Sequence, residues 1–142
     1  MILDSVFGPL ASIGPLLIRL SLASIFIVHG YPKLFTNAPG LKGFSGALTK
    51  MGVPLPFLLA AVVGILEFFG GIALGLGIAT RWLGLLLAIH MIVAILLVTQ
   101  KKGFTQGHEA GYEFNLLLLA GALMLLVMGP GPISIDWAIG IQ

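Results

Sequence analysis

Four long apolar stretches, separated by short polar segments, dominate the chain. They run over residues 13–34, 54–78, 81–99 and 112–128. A helix needs about 20 mostly apolar residues to cross a hydrocarbon core of about 30 Å, and the last two stretches are close to the lower limit. Prolines near the first two starts, and the run Gly129–Pro132 after the fourth, suit the ends of helices. The pattern predicts an all-α bundle of four transmembrane helices.

The segment between the first two stretches has a different pattern. Leu41, Phe44, Leu48 and Met51 recur at spacings of three and four residues, with lysines between them. This spacing places apolar side chains on one face of a helix, as in helices that lie in the plane of a membrane interface. We therefore expect a short interfacial helix between spans one and two, and a single membrane domain over residues 1–142.

Composition supports a lipid environment. Hydrophobic residues make up 58% of the chain and charged residues 8%, with a mean hydropathy of +1.13. An ordinary soluble domain has roughly 25% charged residues, so this chain lacks the charges to cover a water-exposed surface. No Lys/Arg cluster points to nucleic acid. The absence of cysteine excludes disulfides, thiolate metal sites and thiol chemistry carried by the chain's own side chains.

The distribution of lysine and arginine predicts an orientation. The first and third loops carry five lysines, whereas Arg81 and Arg19 are the only basic residues toward the other side. Cytoplasmic loops carry an excess of Lys and Arg, so both termini are expected outside. No basic residue precedes Arg19, and the first apolar run is therefore interpreted as a retained span, not a cleaved signal peptide.

Three ionisable residues lie deep inside the predicted spans: Arg19, Glu67 and His90. Ionisable side chains at bilayer depth are costly, and they usually face a bundle interior or cavity and have a partner. Counting about 1.5 Å per helical residue places all three near the midplane. We expect the three residues to converge there. Either Arg19 and Glu67 form a pair that only fixes helix register, or the three residues form a ligand or proton site.

A second polar group is expected nearer the loop side. His29 and Lys33 lie in the last turns of span one, whereas Tyr112, Glu113 and Asn115 lie in the first turn of span four. Antiparallel helices could bring these ends together, and a carboxylate is favoured at a helix start. The spacing of these residues does not demand a metal, and no metal site is predicted.

Gly71 and Gly75 form a GxxxG pattern within span two. Small residues let helices approach closely in lipid, so helix packing is the expected role of this pair. Room for a flat ligand and self-association are the alternatives. No nucleotide-binding fingerprint is present, because the isolated Gly75-Leu76-Gly77 has no strand before it.

Short motifs in a fixed order along the chain resemble the DoxX family of small membrane proteins. Those toward the N-terminus are Arg19-Leu20, Phe26, His29-Gly30, Lys33-Leu34, Met51-Gly52-Val53-Pro54, Glu67, Gly70-Gly71, Leu76-Gly77 and Thr80-Arg81. Those toward the C-terminus are Gly103-Phe104, Gly111-Tyr112-Glu113, Asn115, Gly129-Pro130-Gly131 and Ser134-Ile135-Asp136. The resemblance covers nearly the whole chain and implies a four-helix, multi-pass protein of a prokaryotic cell membrane.

The resemblance also suggests a function, since the family takes its name from a subunit of a thiosulfate:quinone oxidoreductase. It implies a small subunit of a quinone-linked redox complex, with a quinone as the candidate cofactor and other membrane subunits or further copies of the chain as partners. The alternative is a non-enzymatic accessory, scaffold or lipid-binding subunit. The sequence does not decide whether the chain is an enzyme.

Overall fold

The computed structural model describes residues 2–38, 40–105 and 111–141, and every regular element in these ranges is helical. The α-helices there are α1 (Ile2–Phe7), α2 (Gly14–Phe35), α3 (Gly40–Lys50), α4 (Pro56–Leu76), α5 (Thr80–Ala94), α6 (Tyr112–Met128) and α7 (Ile135–Ala138). A 3₁₀ segment, Gly8–Ile13, precedes α2, and a π-helix, Ile95–Thr99, continues α5. A short 3₁₀ turn, Gln100–Lys102, follows it.

Within the described ranges, three continuous helical stretches are long and apolar enough to cross a membrane: Leu10–Phe35, Pro56–Leu76 and Thr80–Thr99. The fourth, α6, is shorter but equally apolar in character. The predicted all-α, four-helix bundle is therefore confirmed, and α3 is the short helix between the first two spans. The second span begins two residues later than its apolar stretch because Leu55 adopts a left-handed conformation (φ 48°).

Helices α2 and α4 form the most extensive contact in the bundle, and glycines allow their close approach. A Cβ at Gly30 would lie 2.5 Å from the backbone nitrogen of Phe68, so no side chain fits there. The close contacts that join the two helices are Gly30 with Phe68, Gly71 with Ile27, and Gly75 with Ala23. The contacting residues of α2 decrease in number as those of α4 increase, by the same intervals. These contacts therefore define an antiparallel register between the two helices.

Helices α5 and α6 form the second close pair. A Cβ at Gly84 would lie 2.9 Å from both the carbonyl oxygen of Ala122 and the backbone nitrogen of Leu126. Although α4 and α5 are adjacent in sequence, they contact each other much less than either contacts its closer partner. The bundle therefore consists of two tight helix pairs, α2/α4 and α5/α6, with space between them.

The outer surface is apolar, whereas several charged side chains lie inside. Trp82, Leu117 and Val127 are each about 70% exposed (71%, 69% and 74%), while Arg19 and Glu67 are buried. Water would penalise such a surface, but lipid is as apolar as these side chains. The described part of the chain is thus suited to lipid contact around the bundle.

We predict that Gly30→Ala destabilises the bundle by about 1–3 kcal/mol, because the added methyl group meets backbone atoms of α4 that cannot move independently. The measurement is the free energy of unfolding in mixed micelles, followed by circular dichroism. Gly46→Ala in α3 is the matched control, since a Cβ there meets nothing within 4 Å. Equal stability of the two variants would contradict this account of α2/α4 packing.

Candidate ligand site between the helix pairs

The carboxylate of Glu67 lies near the middle of the spanning helix α4. Glu67 is 5% exposed and stands roughly 16 Å from the start of α4 and roughly 14 Å from its end, at about 1.5 Å per residue. A charge at this depth is expensive and requires partners. The described residues supply two of them, one from each helix pair.

Lys33 and His90 bond to different oxygens of Glu67. The ammonium group of Lys33 forms an ion pair with Oε2, and Nε2 of His90 lies 3.0 Å from Oε1. An ionised carboxylate only accepts hydrogen bonds, so Nε2 of His90 carries the donated proton. Lys33 and Glu67 join α2 to α4, and His90 joins this pair to α5. We call these three residues the polar triad.

The local backbone brings Lys33 to Glu67 from near the end of α2. Gly64 lies one turn before Glu67, and a Cβ there would lie 2.8 Å from Leu34 and 3.4 Å from Cβ of Lys33. The missing side chain lets the last turns of α2 lie against α4. The long, flexible lysine stem then extends along apolar surface to place its charge at the carboxylate.

A cavity of about 350 Å³ opens beside the polar triad, between the two helix pairs and α3. Its walls are mostly apolar, and they come from all four spans and from the short helix. The lining residues are Ile25, Phe26, His29, Lys33, Phe44, Leu48, Val63, Glu67, His90, Met91, Val93, Ala94, Leu97, Val98, Thr99, Phe114, Asn115 and Leu118. Ligand pockets of proteins have this character, with apolar walls and a few convergent polar groups.

Further polar groups face the cavity outside the polar triad. Nδ2 of Asn115 donates a hydrogen bond to Oγ1 of Thr99 at 3.1 Å, and both residues line the cavity. Thr99 ends the π-helical segment that continues α5. Such π-helical turns occur frequently at functional sites because they re-aim side chains. The cavity therefore offers hydrogen-bonding groups at more than one place on its wall.

This arrangement can bind and exchange protons. An imidazole can carry a proton on either ring nitrogen, and a neighbouring carboxylate stabilises its protonated form. The ammonium group of Lys33 has more N–H donors than the one that it uses on Glu67, so it can also donate to a carbonyl or hydroxyl group of a ligand, whereas Nε2 of His90 is already bonded to Glu67. The site is thus suited to an apolar ligand with a few polar atoms.

Arg19 lies away from Glu67 and His90, contrary to the expected convergence. Its guanidinium packs against Gly77 and donates a hydrogen bond to the carbonyl of Ile133. Gly77 is ten residues beyond Glu67, about 15 Å farther along the chain at helical rise. The expected convergence was based on counting residues from the ends of the spans, as if all spans started in one plane. The glycine contacts between α2 and α4 instead place the end of α2 beside Glu67.

Arg19 instead belongs to a cluster at the terminal side. The carboxylate of Asp136 accepts hydrogen bonds from the backbone N–H groups of Ala79 and Thr80, both at 2.8 Å. Asp136 thereby caps the first turn of α5, where a negative charge is favoured by the helix dipole. Arg19 and Asp136 are both buried and interact electrostatically. This cluster fixes the turn between α4 and α5.

The residues of the second expected polar group do not all lie together in the structure. His29, Lys33 and Asn115 all line the cavity, and the His29 ring centroid is 6.3 Å from that of Phe114. Tyr112 packs edge-to-face on Phe104 instead.

The carboxylate of Glu113 also lies outside the cavity. One of its oxygens lies beside Gly111, where a Cβ would be 2.6 Å away. Lys33 pairs with Glu67, not with Glu113.

Sequence reasoning missed three contributors to the site. Phe44 and Leu48 of α3 line one side of the cavity. Thr99, the last residue of the π-helical segment, lines another part of its wall. The apolar periodicity of α3 was the available signal for the first two. Nothing in the local sequence marks Ile95–Thr99 as π-helical.

These features define a small membrane protein with a buried ion-pair network beside a lipophilic cavity. The family model of DoxX matches residues 14–100, which include all three residues of the polar triad. The chain belongs to the DoxX family. No solved structure gives a significant match to it.

Three bacterial relatives cover most of the chain. "Putative oxidoreductase CatD" of Bacillus subtilis (strain 168) is 34% identical over 125 residues, or 87% of this chain and 85% of the relative. "Inner membrane protein YqjF" of Escherichia coli (strain K12) is 33% identical, covering 89% and 92%. "Inner membrane protein YphA" of the same organism is 28% identical, covering 92% and 93%. The chain is thus similar to inner membrane proteins of bacteria.

We predict that Lys33→Met destabilises the protein by about 3–5 kcal/mol, because it leaves the buried charge of Glu67 without its cation. The double variant Lys33→Met/Glu67→Gln should recover much of this loss, since no buried charge then remains on either side. The measurement is again unfolding in mixed micelles. Lys50→Met, at an exposed position of α3, is the control. A Lys33→Met variant as stable as the control would contradict a buried ion pair.

Proposed function

We propose that this protein is a small subunit of a membrane redox assembly that binds a quinone in the cavity beside Lys33, Glu67 and His90. One observation carries the proposal: a lysine and a histidine, both bonded to a buried carboxylate, line a mostly apolar cavity between the spanning helices. A quinone when bound supplies two-electron redox chemistry coupled to protons. The chain's own residues would bind it, orient it and handle protons.

The residues present fit such a ligand. The cavity volume of about 350 Å³ lies within the range of about 300–1,000 Å³ of small-molecule sites. Phe26 and Phe114 supply aromatic surface for a ring, and apolar side chains of α5 supply the opposite wall. Lys33 would donate a hydrogen bond to a carbonyl oxygen of the ring. Asn115 and Thr99 offer a second polar position on the wall.

Proton handling would centre on His90 and Glu67. Because Nε2 of His90 donates to Glu67, the proton that His90 would pass to a ligand oxygen is the one that its imidazolium form carries on Nδ1, and the carboxylate of Glu67 stabilises that form. Lys33 forms an ion pair with the other oxygen of Glu67. The chain has no cysteine, and electrons would come from a redox partner in the assembly, not from thiols of this subunit.

The name of the Bacillus relative, "Putative oxidoreductase CatD", is consistent with the same class of activity. The alternative is a non-enzymatic accessory, scaffold or lipid-binding subunit, and self-association through Gly71 and Gly75 would fit it. Both glycines face α2 within this chain, so they do not offer a free contact surface. The cavity and its charged wall would also have no role in a scaffold.

We predict that a short-chain quinone binds the protein in lipid nanodiscs and that Glu67→Gln raises its Kd by about ten-fold or more. Loss of the charge releases His90 and Lys33 from their positions, and charge-assisted hydrogen bonds contribute roughly 1.5–3 kcal/mol. Isothermal titration calorimetry measures the Kd of the unaltered protein and that of the Glu67→Gln variant. In membranes that contain the whole assembly, the same variant should abolish quinone-dependent turnover.

Glu113→Gln is the matched control, because it removes a second glutamate of a spanning helix that does not line the cavity. Its Kd should equal that of the unaltered protein. Circular dichroism of each variant checks that the bundle remains folded. Absence of quinone binding, or equal affinity of Glu67→Gln and Glu113→Gln, would contradict the proposal and favour the accessory-subunit alternative.

A further inference from the structure

A second concave surface lies on the lipid-facing side of the bundle, between α2 and α6. It encloses about 380 Å³ and is lined on α2 by Ile18, Ser21, Leu22 and Ile25. On α6 the lining residues are Leu117, Leu118, Ala120, Gly121 and Met124. We call it the α2/α6 groove. Apart from the hydroxyl of Ser21, which bonds to the carbonyl of Leu17, its side chains are apolar.

The α2/α6 groove adjoins the cavity. Ile25 and Leu118 line both spaces, so the two meet at these side chains. From this shared wall the groove runs along α2 to Ile18, a distance of about 10 Å at helical rise. It therefore leads away from the polar triad and toward the terminal side of the membrane.

A missing side chain on α6 creates part of this groove. A Cβ at Gly121 would lie 3.3 Å from the δ-carbons of Leu22, so even alanine would narrow the floor. Ser21 and Leu117 at the edges are exposed. The groove is thus open along its outer side, as a site filled laterally from the bilayer needs to be.

We propose that the α2/α6 groove holds the hydrocarbon tail of the ligand whose polar head binds in the cavity. The inference rests on the proposed function, and it specifies the ligand class as a lipid with a carbonyl-bearing ring and a long apolar chain. The head would lie in the cavity that carries the polar groups, and the tail would lie in the adjoining apolar groove. The head would meet the polar triad, and the tail would lie between α2 and α6.

The test must locate the tail, because affinity alone is uninformative in a membrane. A hydrocarbon chain that leaves lipid for an apolar groove gains no hydrophobic free energy, since lipid tails are as apolar as leucine. Two photoreactive quinone analogues serve as probes, one with a diazirine on the ring and one with a diazirine in the tail. Peptide mass spectrometry of the nanodisc-embedded protein then maps the labelled residues.

We predict that the ring probe labels residues of the cavity and that the tail probe labels the segments 18–25 and 117–124. Ser21→Leu should reduce tail labelling of the groove by about five-fold or more, the factor that matches a packing penalty of ~1 kcal/mol. Ser24→Leu is the control. Ser24 is also an exposed serine of α2 bonded to a helix carbonyl, but it does not line the groove.

The outcomes separate this inference from the proposed function. Ring labelling in the cavity with tail labelling on another face, or equal effects of Ser21→Leu and Ser24→Leu, would overturn the groove assignment alone. Ring labelling outside the cavity would overturn both. A phospholipid with a diazirine in its acyl chain is the competitor: if a long-chain quinone fails to displace it from the groove, the occupant is bulk lipid and the inference is wrong.

Discussion

The ionised carboxylate of Glu67 sets the main constraint on this structure. It lies near the middle of the spanning helix α4, where an uncompensated charge is unfavourable, and its two oxygens are bonded to Lys33 and His90. Breaking such a network leaves a buried charge without a partner, whereas forming it gains little over an apolar contact. A chain that needed only helix packing could place leucine at this position. The presence of a costly charged network beside a cavity is therefore the physical argument for a ligand.

Glycine makes this network possible by setting the register of α2 on α4. Gly30 lets the two backbones meet, and Gly64 makes room for the end of α2, so that Lys33 reaches Glu67. The pair α5/α6 is packed just as closely through Gly84, yet the two pairs contact each other less extensively. This uneven packing leaves the cavity between them. The hydrogen bond from His90 to Glu67 crosses from one pair to the other and ties the cavity wall together.

The bundle was predictable from sequence because hydrophobic length reports directly on membrane spans. The intramembrane position of Glu67 was predictable for the same reason, since its depth depends only on counting along one helix. Its partners were harder, because they depend on the register between helices. Counting from the apparent span ends paired Glu67 with Arg19, whereas the glycine contacts place Lys33 there and leave Arg19 beside Asp136. Thr99 was missed because a π-helical turn has no clear local signature.

The central claim is that the cavity beside the polar triad holds a quinone in the native membrane. Native mass spectrometry of the protein, released from its own membrane in mild detergent, tests this most directly. The account predicts a retained mass that matches a quinone, present in the unaltered protein and lost from the Glu67→Gln variant. A bare chain, or one that retains only phospholipid in both forms, would contradict it and identify an accessory subunit.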